Sequence, residues 1–475
     1  MVVALTGKGC EIMDGRQYEI IALIMRYWFV ALVLLIFGRL FWEGIKKNKA
    51  ELEEHLGHVL FFMVLLALSS FSLLSFFDSE VFDIKAAILG ALISAILIFQ
   101  YNFTKLLFPK FDRILLLTVD TLAILGFIML QRLKPELAFR QVEWFALGNV
   151  ALIIFGIFAK KLTPGKRISY ALIVLSYILL ILPLVLGKEI AGAKNWISLS
   201  DAFSIQPSEF VKIILIVVLA ERLSKEKGFK DNLPIFAFVA MLVILVVLQR
   251  DLGAALLYFC IFMFMYYIAT SDWIVILSAV GAASLGSLAS YYLFSHVRVR
   301  IEAWKNPWAD IENKGYQIAQ SLIAISSGGL IGLGLGLGSP QMIPASRTDF
   351  IFSAICEEFG LIVGFCVIGF YLLIAIRGTR IALNAPSSYK ALLAMGATVA
   401  LVIQSFVIIG GVIKMIPLTG VTMPFVSYGG SSMVTSMAMI GILESIASDK
   451  NAEEDENEED ENENEDEELE PADED

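Results

Sequence analysis

Of 475 residues, 57% are hydrophobic and only 17% are charged, and the mean hydropathy is +0.75. Soluble domains run to about half apolar and about a quarter charged residues, so a soluble globular protein is excluded and a polytopic membrane protein is indicated. The formal net charge of −11 is local: 17 of the 47 acidic residues fall in 451–475, which holds no basic residue, and the other 30 are outnumbered by 36 Lys and Arg.

In chain order, thirteen apolar runs predict membrane-spanning helices, each close to the 17–25 residues a helix needs to cross a bilayer. They lie at about 19–41, 59–77, 84–101, 113–131, 144–159, 169–187, 208–223, 234–248, 252–270, 273–295, 350–376, 390–413 and 429–447. The first run is long and lacks a small-residue cleavage site, so it is not read as a cleavable signal. Between runs ten and eleven stands an extended, polar, aromatic and Gly-rich loop at 296–349. The tail from 450 is low-complexity Glu, Asp and Asn, too charged to fold alone. Its sign excludes nucleic acid as a partner.

Basic residues collect in alternate loops, as they do on the cytoplasmic side of membrane proteins. Lys46, Lys47 and Lys49 follow run one, Lys105, Lys110 and Arg113 follow run three, and Lys160, Lys161, Lys166 and Arg167 follow run five. Arg222, Lys225, Lys227 and Lys230 follow run seven, and Arg377, Arg380 and Lys390 follow run eleven. Thirteen spans then place the N-terminus and the 296–349 loop outside and the acidic tail in the cytoplasm. Arg132, Lys134 and Arg140 dissent. A site outside the membrane excludes ATP and nucleotide-sugars, so the energy must arrive in the substrate, for example as a lipid-linked pyrophosphate. Cys10, Cys260, Cys356 and Cys366 show no CxxC or Cys/His metal spacing and read as packing residues.

Four blocks carry polar chemistry. The first runs from Gly192 through Lys194, Asn195 and Trp196 to Gln206-Pro207-Ser208-Glu209 and Lys212. Pro207 suits the first turn of a helix, and Glu209 and Lys212 are spaced to pair on one face. Asp251 interrupts an apolar stretch and marks either a tight turn or a broken helix beside a cavity. The large loop carries Arg298, Arg300, Trp304, Trp308, Tyr316, Gln317, Gln320 and glycines from Gly328 to Gly338, and ends in Arg347-Thr348-Asp349. No Lys-Ser/Thr follows those glycines, which excludes a Walker loop and leaves close packing and substrate adaptation equally open. Asp349 reads from its spacing as a helix-capping carboxylate in preference to a base poised between burial and Arg347. Glu357 and Glu358 read as pairing partners inside the bundle. The fourth block, Lys414 through Ser432, has two prolines and three glycines, a backbone tolerated at membrane depth only where protein or a watery cavity covers it.

Together these blocks resemble the SEDS family, the proteins of shape, elongation, division and sporulation typified by FtsW, RodA and SpoVE. The resemblance covers about 113–447. It implies an all-α polytopic fold in which a ten-helix core at 113–449 follows an extension of three helices at 1–112, with the large loop between core helices seven and eight. It implies a peptidoglycan glycosyltransferase that polymerises lipid II outside the membrane beside a transpeptidase, a class B penicillin-binding protein. The family's essential aspartate falls on Asp349, which makes that residue the base. It would deprotonate an acceptor sugar hydroxyl, which attacks the anomeric carbon of the growing strand and expels undecaprenyl pyrophosphate. Substrate contacts are expected at Lys194, Trp196, Glu209, Lys212, Asp251, Arg300, Tyr316, Gln317, Gln320, Arg347, Thr348, Ser427 and Ser431. Lys194, Arg300, Arg347 or a divalent cation, Mg or Mn, would balance the leaving pyrophosphate. No nucleotide, haem or flavin is expected. The chain departs from the family pattern at Ala345 (usually Glu), Arg250 (Pro), Ile408 (Asn) and Lys414 (a small residue). A lipid II flippase and a non-catalytic scaffold for the transpeptidase are the competing readings.

Overall fold

The computed structural model describes residues 15–45, 52–77, 82–161, 165–190, 193–198, 204–225, 228 and 231–469. Lys46, Lys47, Lys49, Lys227, Lys230, Cys10 and Gly192 lie outside the described residues.

Each of the thirteen apolar runs lies in a helix. The extension supplies α1 (Gly15–Ile45), α2 (Leu52–Leu74) and α3 (Ile84–Leu107). The core follows with α4 (Arg113–Leu133), α5 (Pro135–Lys161), α6 (Lys166–Leu186), α7 (Pro207–Leu223), α8 (Leu233–Leu248), α9 (Leu252–Thr270) and α10 (Trp273–Leu293). Two shorter helices, α11 (Ser295–Lys305) and α12 (Tyr316–Gly328), precede α13 (Ile351–Leu383), α14 (Ser388–Val412) and α15 (Gly430–Leu469). Of the thirteen helices that hold the apolar runs, eleven are long and apolar enough to cross a membrane among the described residues. The other two, α7 and α8, have 17 and 16 residues. Asp83, Asp112, Asp251 and Asp272 start helices by accepting backbone N–H groups of the first turn, which explains four of the polar breaks between apolar runs.

The core is built around α4, whose apolar span is buried throughout. The extension packs on one flank. Phe37 of α1 meets Phe370 of α13 edge-on at 5.3 Å, and Gln100 of α3 donates to Asp120 of α4 at 3.0 Å. At the end of the bundle where α13 finishes, Arg377 pairs with Asp112, whose N–H donates to Glu444 at 2.6 Å. Lys390 pairs there with Asp449 at 2.8 Å.

One expectation changes, and a small sheet joins the helices. The 296–349 segment is not an extended loop: it contains α11, α12 and short 3-10 turns at Pro307–Asp310 and Pro340–Met342. The 187–206 connection forms a small antiparallel sheet of β1 (Lys188–Ile190), β2 (Ala193–Ser198) and β3 (Ser204–Ile205), with Lys188 opposite Trp196 and Ile197 opposite Ile205.

The break in α13 organises the large loop. Gly360 has φ 86° and ψ 171°, which splits α13 into two helical pieces. Left-handed backbone costs an L side chain about 1–2 kcal/mol, and a side chain here would also strike the Ile331–Gly332 backbone. The freed backbone groups are taken up by the Gly-rich loop. Leu361 and Ile362 donate to Gly329 and Leu330 carbonyls, and Leu333 and Gly334 donate to those of Glu357 and Glu358, all at 2.9–3.1 Å. Membrane-embedded backbone must find partners inside the protein, and here loop and helix supply each other. The glycines therefore serve close packing.

Candidate active site

A cavity of about 470 Å³ opens where the chemistry-bearing blocks meet, at the end of the bundle opposite Arg377 and Asp112. Its walls come from β2, the starts of α7 and α9, α11, the segment ending at Asp349, and the 419–430 turn. The predicted residues Trp196, Glu209, Lys212, Asp251, Arg300, Thr348 and Asp349 all line it.

Asp349 is held from its backbone. Thr348 and Phe350 donate their N–H groups to Ala345, Ser427 donates its hydroxyl to the Thr348 carbonyl, and Tyr428 N–H donates to Arg347 O at 2.9 Å. Ser427 O in turn accepts from Gln141 of α5 at 3.1 Å. The residue that caps α13 is Phe350, with no side-chain cap, so the capping role is not what Asp349 does. Its carboxylate faces the cavity. Burial pushes the Asp349 carboxyl up from its ordinary value, against the opposing pull of the Thr348 hydroxyl and the Arg300 guanidinium. Arg300 is fixed by donating to the carbonyls of Thr419 at 2.9 Å and Leu418 at 3.4 Å. It stands beside Gly420, which also faces Asp349.

The opposite wall is a closed polar network. Asp251 accepts from Asn195 at 2.7 Å, Gln206 at 3.1 Å and the Ala254 N–H at 2.9 Å. Burial raises this carboxyl too, and those hydrogen bonds oppose the rise. Lys212, almost fully buried, bridges Glu209 and Gln404 at 2.7 Å each, while Glu209 also accepts from Thr435 at 3.0 Å. Gln404 then donates to Thr422 O at 2.8 Å. The spacing-derived pair Glu209–Lys212 is thus the start of a chain that reaches α14, α15 and the 417–432 turn.

Other predicted residues stand elsewhere. Ser427 and Ser431 sit behind the wall, Ser431 accepting from Gln206 N–H at 3.1 Å. Lys194 turns away and donates to Leu184 O at 2.8 Å. Tyr316 donates to Met342 O at 3.3 Å, and Tyr316, Gln317 and Gln320 ride on α12, off the cavity wall. Arg347 joins the turn through its carbonyl and does not line the cavity. The folding of α12 carries Tyr316, Gln317 and Gln320 away from the cavity wall, whereas Lys194 is drawn off by the Leu184 carbonyl and Arg347 stands in the turn just before Asp349.

The sequence reading missed Arg140 and Trp144, one turn apart on α5, and Tyr258 of α9, which all line the cavity. The signal was there: Arg140 belongs to the group that violated the charge rule. Arg132, the first of that group, forms an ion pair with Glu358 at 3.0 Å and stacks over Phe77 at 4.1 Å. Among the described residues, no three His, Cys, Asp or Glu side chains come together as a metal site.

Comparison with known proteins identifies the family. Residues 112–452 match the profile of the FtsW, RodA and SpoVE family, described as cell cycle protein. The chain is 36% identical to the peptidoglycan glycosyltransferase RodA of Mycobacterium tuberculosis over 370 residues, covering 71% of this chain and 78% of that protein. It is 35% identical to the stage V sporulation protein E of Bacillus subtilis over 321 residues, 65% of this chain and 86% of that one. Its fold is similar to a chain in a peptidoglycan synthase complex that coordinates polymerization and crosslinking, with TM-score 0.61, 28% identity, and coverage of 72% and 98%. The rod shape determining protein RodA of Thermus thermophilus aligns with TM-score 0.51 and 28% identity over 72% of this chain and 97% of that one. The profile match over most of the chain, and these identities across it, place the protein in the FtsW, RodA and SpoVE family.

Proposed function

We propose that this protein is a peptidoglycan glycosyltransferase that polymerises lipid II into glycan strands at the outer face of the cytoplasmic membrane. Asp349 carries the reading: a carboxylate whose charged form burial disfavours, in a cavity wall that also presents Arg300. A general base needs a pKa brought toward the operating pH, and burial moves this one in that direction.

In the proposed reaction, Asp349 takes the proton of an acceptor sugar hydroxyl. The oxygen attacks the anomeric carbon of the growing strand, and the bond to undecaprenyl pyrophosphate breaks, with its electrons leaving on the phosphate. Arg300 is the best-placed cation for that developing charge, and Arg140 and Arg250 also face the cavity. The cavity's closed wall, from Asp251 to Lys212, orients sugar hydroxyls. Lys194 and Arg347 fall away from this role because neither lines the cavity. A divalent cation, Mg or Mn, enters only as a companion of the substrate pyrophosphate, since the described residues build no cage for one; no step rests on it.

The outward orientation draws support from both ends of the bundle. Arg377, Lys390 and Lys160 gather at one end around Asp112 and Asp449. At the other end Arg132 is neutralised by Glu358 and Arg140 faces the cavity, so two of the three dissenting charges have local employment. The same reading puts a class B penicillin-binding protein beside this chain as its transpeptidase. It draws on the resemblance to a chain of a peptidoglycan synthase complex.

Purified protein given lipid II should make glycan polymer, and Asp349→Ala should stop it without loss of folded protein. Normal polymerisation by Asp349→Ala removes the catalytic assignment. Translocation of lipid II in vesicles without polymer would favour a transporter instead.

A further inference from the structure

The three helices of the extension end at Leu107, before the stretch matched by the family profile, which begins at 112. Its contacts with the core are not only lateral packing. At one end of α1, Tyr18 donates its hydroxyl to Leu335 O at 3.0 Å, and Tyr18 is nearly buried. About two turns further along, Arg26 donates to Gly332 O at 3.4 Å. An arginine within an apolar span is costly and is kept where it has a partner or a task. Phe77, following α2, closes the same corner: its ring lies 5.5 Å from that of Tyr18 and under the Arg132 guanidinium.

All three residues grip one strip of backbone. Gly336, with φ 87°, would drive a Cβ into the Tyr18 hydroxyl and the Phe77 ring. From the core side, Arg132 donates to Gly338 O at 3.1 Å, and Glu358 accepts from Gly336 N–H at 3.2 Å. Ser339 N–H donates to Glu357 at 2.8 Å. The strip 332–339 is therefore held between extension and core, and ten residues after it the chain reaches Asp349.

We propose that Tyr18, Arg26 and Phe77 of the extension are positioning residues for the catalytic segment: they fix the Gly332–Ser339 strip and, through it, the place of Asp349. This builds on the glycosyltransferase reading for its kinetic consequence but not for its structural one. The extension thus supplies in cis a constraint that a ten-helix core would have to obtain from its own residues.

Tyr18→Phe removes one hydroxyl and keeps the ring, and Arg26→Met removes the donor to Gly332. Each is compared with the full-length wild type by hydrogen–deuterium exchange and by lipid II polymerisation. Both variants should speed amide exchange at 333–339 and also at 348–350, with a drop in thermal midpoint no larger than one lost hydrogen bond accounts for. Tyr18→Phe should lower kcat about threefold to tenfold at unchanged KM, the loss associated with one hydrogen bond. Arg26→Lys, which keeps a donor, should recover most of what Arg26→Met loses. Faster exchange at 333–339 with none at 348–350 overturns the proposal. So does a kcat equal to wild type, or a loss explained wholly by a lower thermal midpoint. If the wild type makes no polymer, the function reading fails and the exchange result alone decides this one.

Discussion

Two arginine–carboxylate couples flank the same loop, and they are built in opposite ways. Arg132 and Glu358 touch at 3.0 Å with both side chains buried, and their remaining hydrogen-bonding groups are spent on Gly336 and Gly338. Arg300 and Asp349 face the cavity side by side, Arg300 anchored through Nη1 on the Thr419 and Leu418 carbonyls and forming no ion pair with the carboxylate. The first couple holds the loop and can do nothing else. The second is held apart by backbone contacts and so can react. In a membrane protein the paired charges mark the frame, and the carboxylate left open marks the chemistry.

The strongest way to break this contrast is Asp349→Asn. Polymer yield should fall about 10²- to 10⁴-fold, the span assigned to a general base, read as labelled glycan on a gel. Stability should move the other way. Burial raises the folded-state pKa of Asp349, so its contribution favours folding at low pH and is lost as pH rises through that raised value. Asp349→Asn should then match or exceed the wild-type thermal midpoint at neutral pH. A drop in midpoint would make Asp349 part of the frame.

Arg132→Met tests the other couple. It strands Glu358 in the bundle and should cost about 3–5 kcal/mol, measured as a lower thermal midpoint in detergent. A smaller effect comes from Arg300→Gln. The acid limb of the rate profile should lie above the ordinary carboxylate range in wild type. It should move higher still without Arg300, whose charge pulls Asp349 down. An unmoved limb would separate Arg300 from Asp349 electrically.

Much of the fold was legible because membrane helices announce themselves by length and apolarity. Every apolar run became a helix, and Pro207 and Asp251 sit at helix starts as their chemistry requires. The 296–349 segment was misread because α12 buries only a few residues, among them Ile318, Ala319 and Ala324, amid polar neighbours. The ion pair between Arg132 and Glu358 spans 226 positions, and no local pattern reveals it. Asp349 itself was recognisable only by resemblance, since a carboxylate before an apolar run looks like a cap until the structure gives that position to Phe350.

The departures from the family pattern also have a physical side that spacing hides. Arg250, Ala345 and Lys414 all take positive φ, at 63°, 57° and 62°. Proline cannot adopt such an angle, so a proline in place of Arg250 would force a different turn before Asp251. Lys414→Gly should stabilise the protein by about 1 kcal/mol, the smallest effect foreseen, visible as a small rise in thermal midpoint. No rise would mean that the Lys414 side chain offsets its own strain.

The size of the cavity carries one more consequence. About 470 Å³ falls within the range of pockets that hold a drug-sized ligand. A few sugar units fill such a space, and a lengthening polysaccharide does not fit in it. Under the proposed reaction, then, each newly joined unit has to slide out before the next is admitted, so that elongation and product egress become one motion.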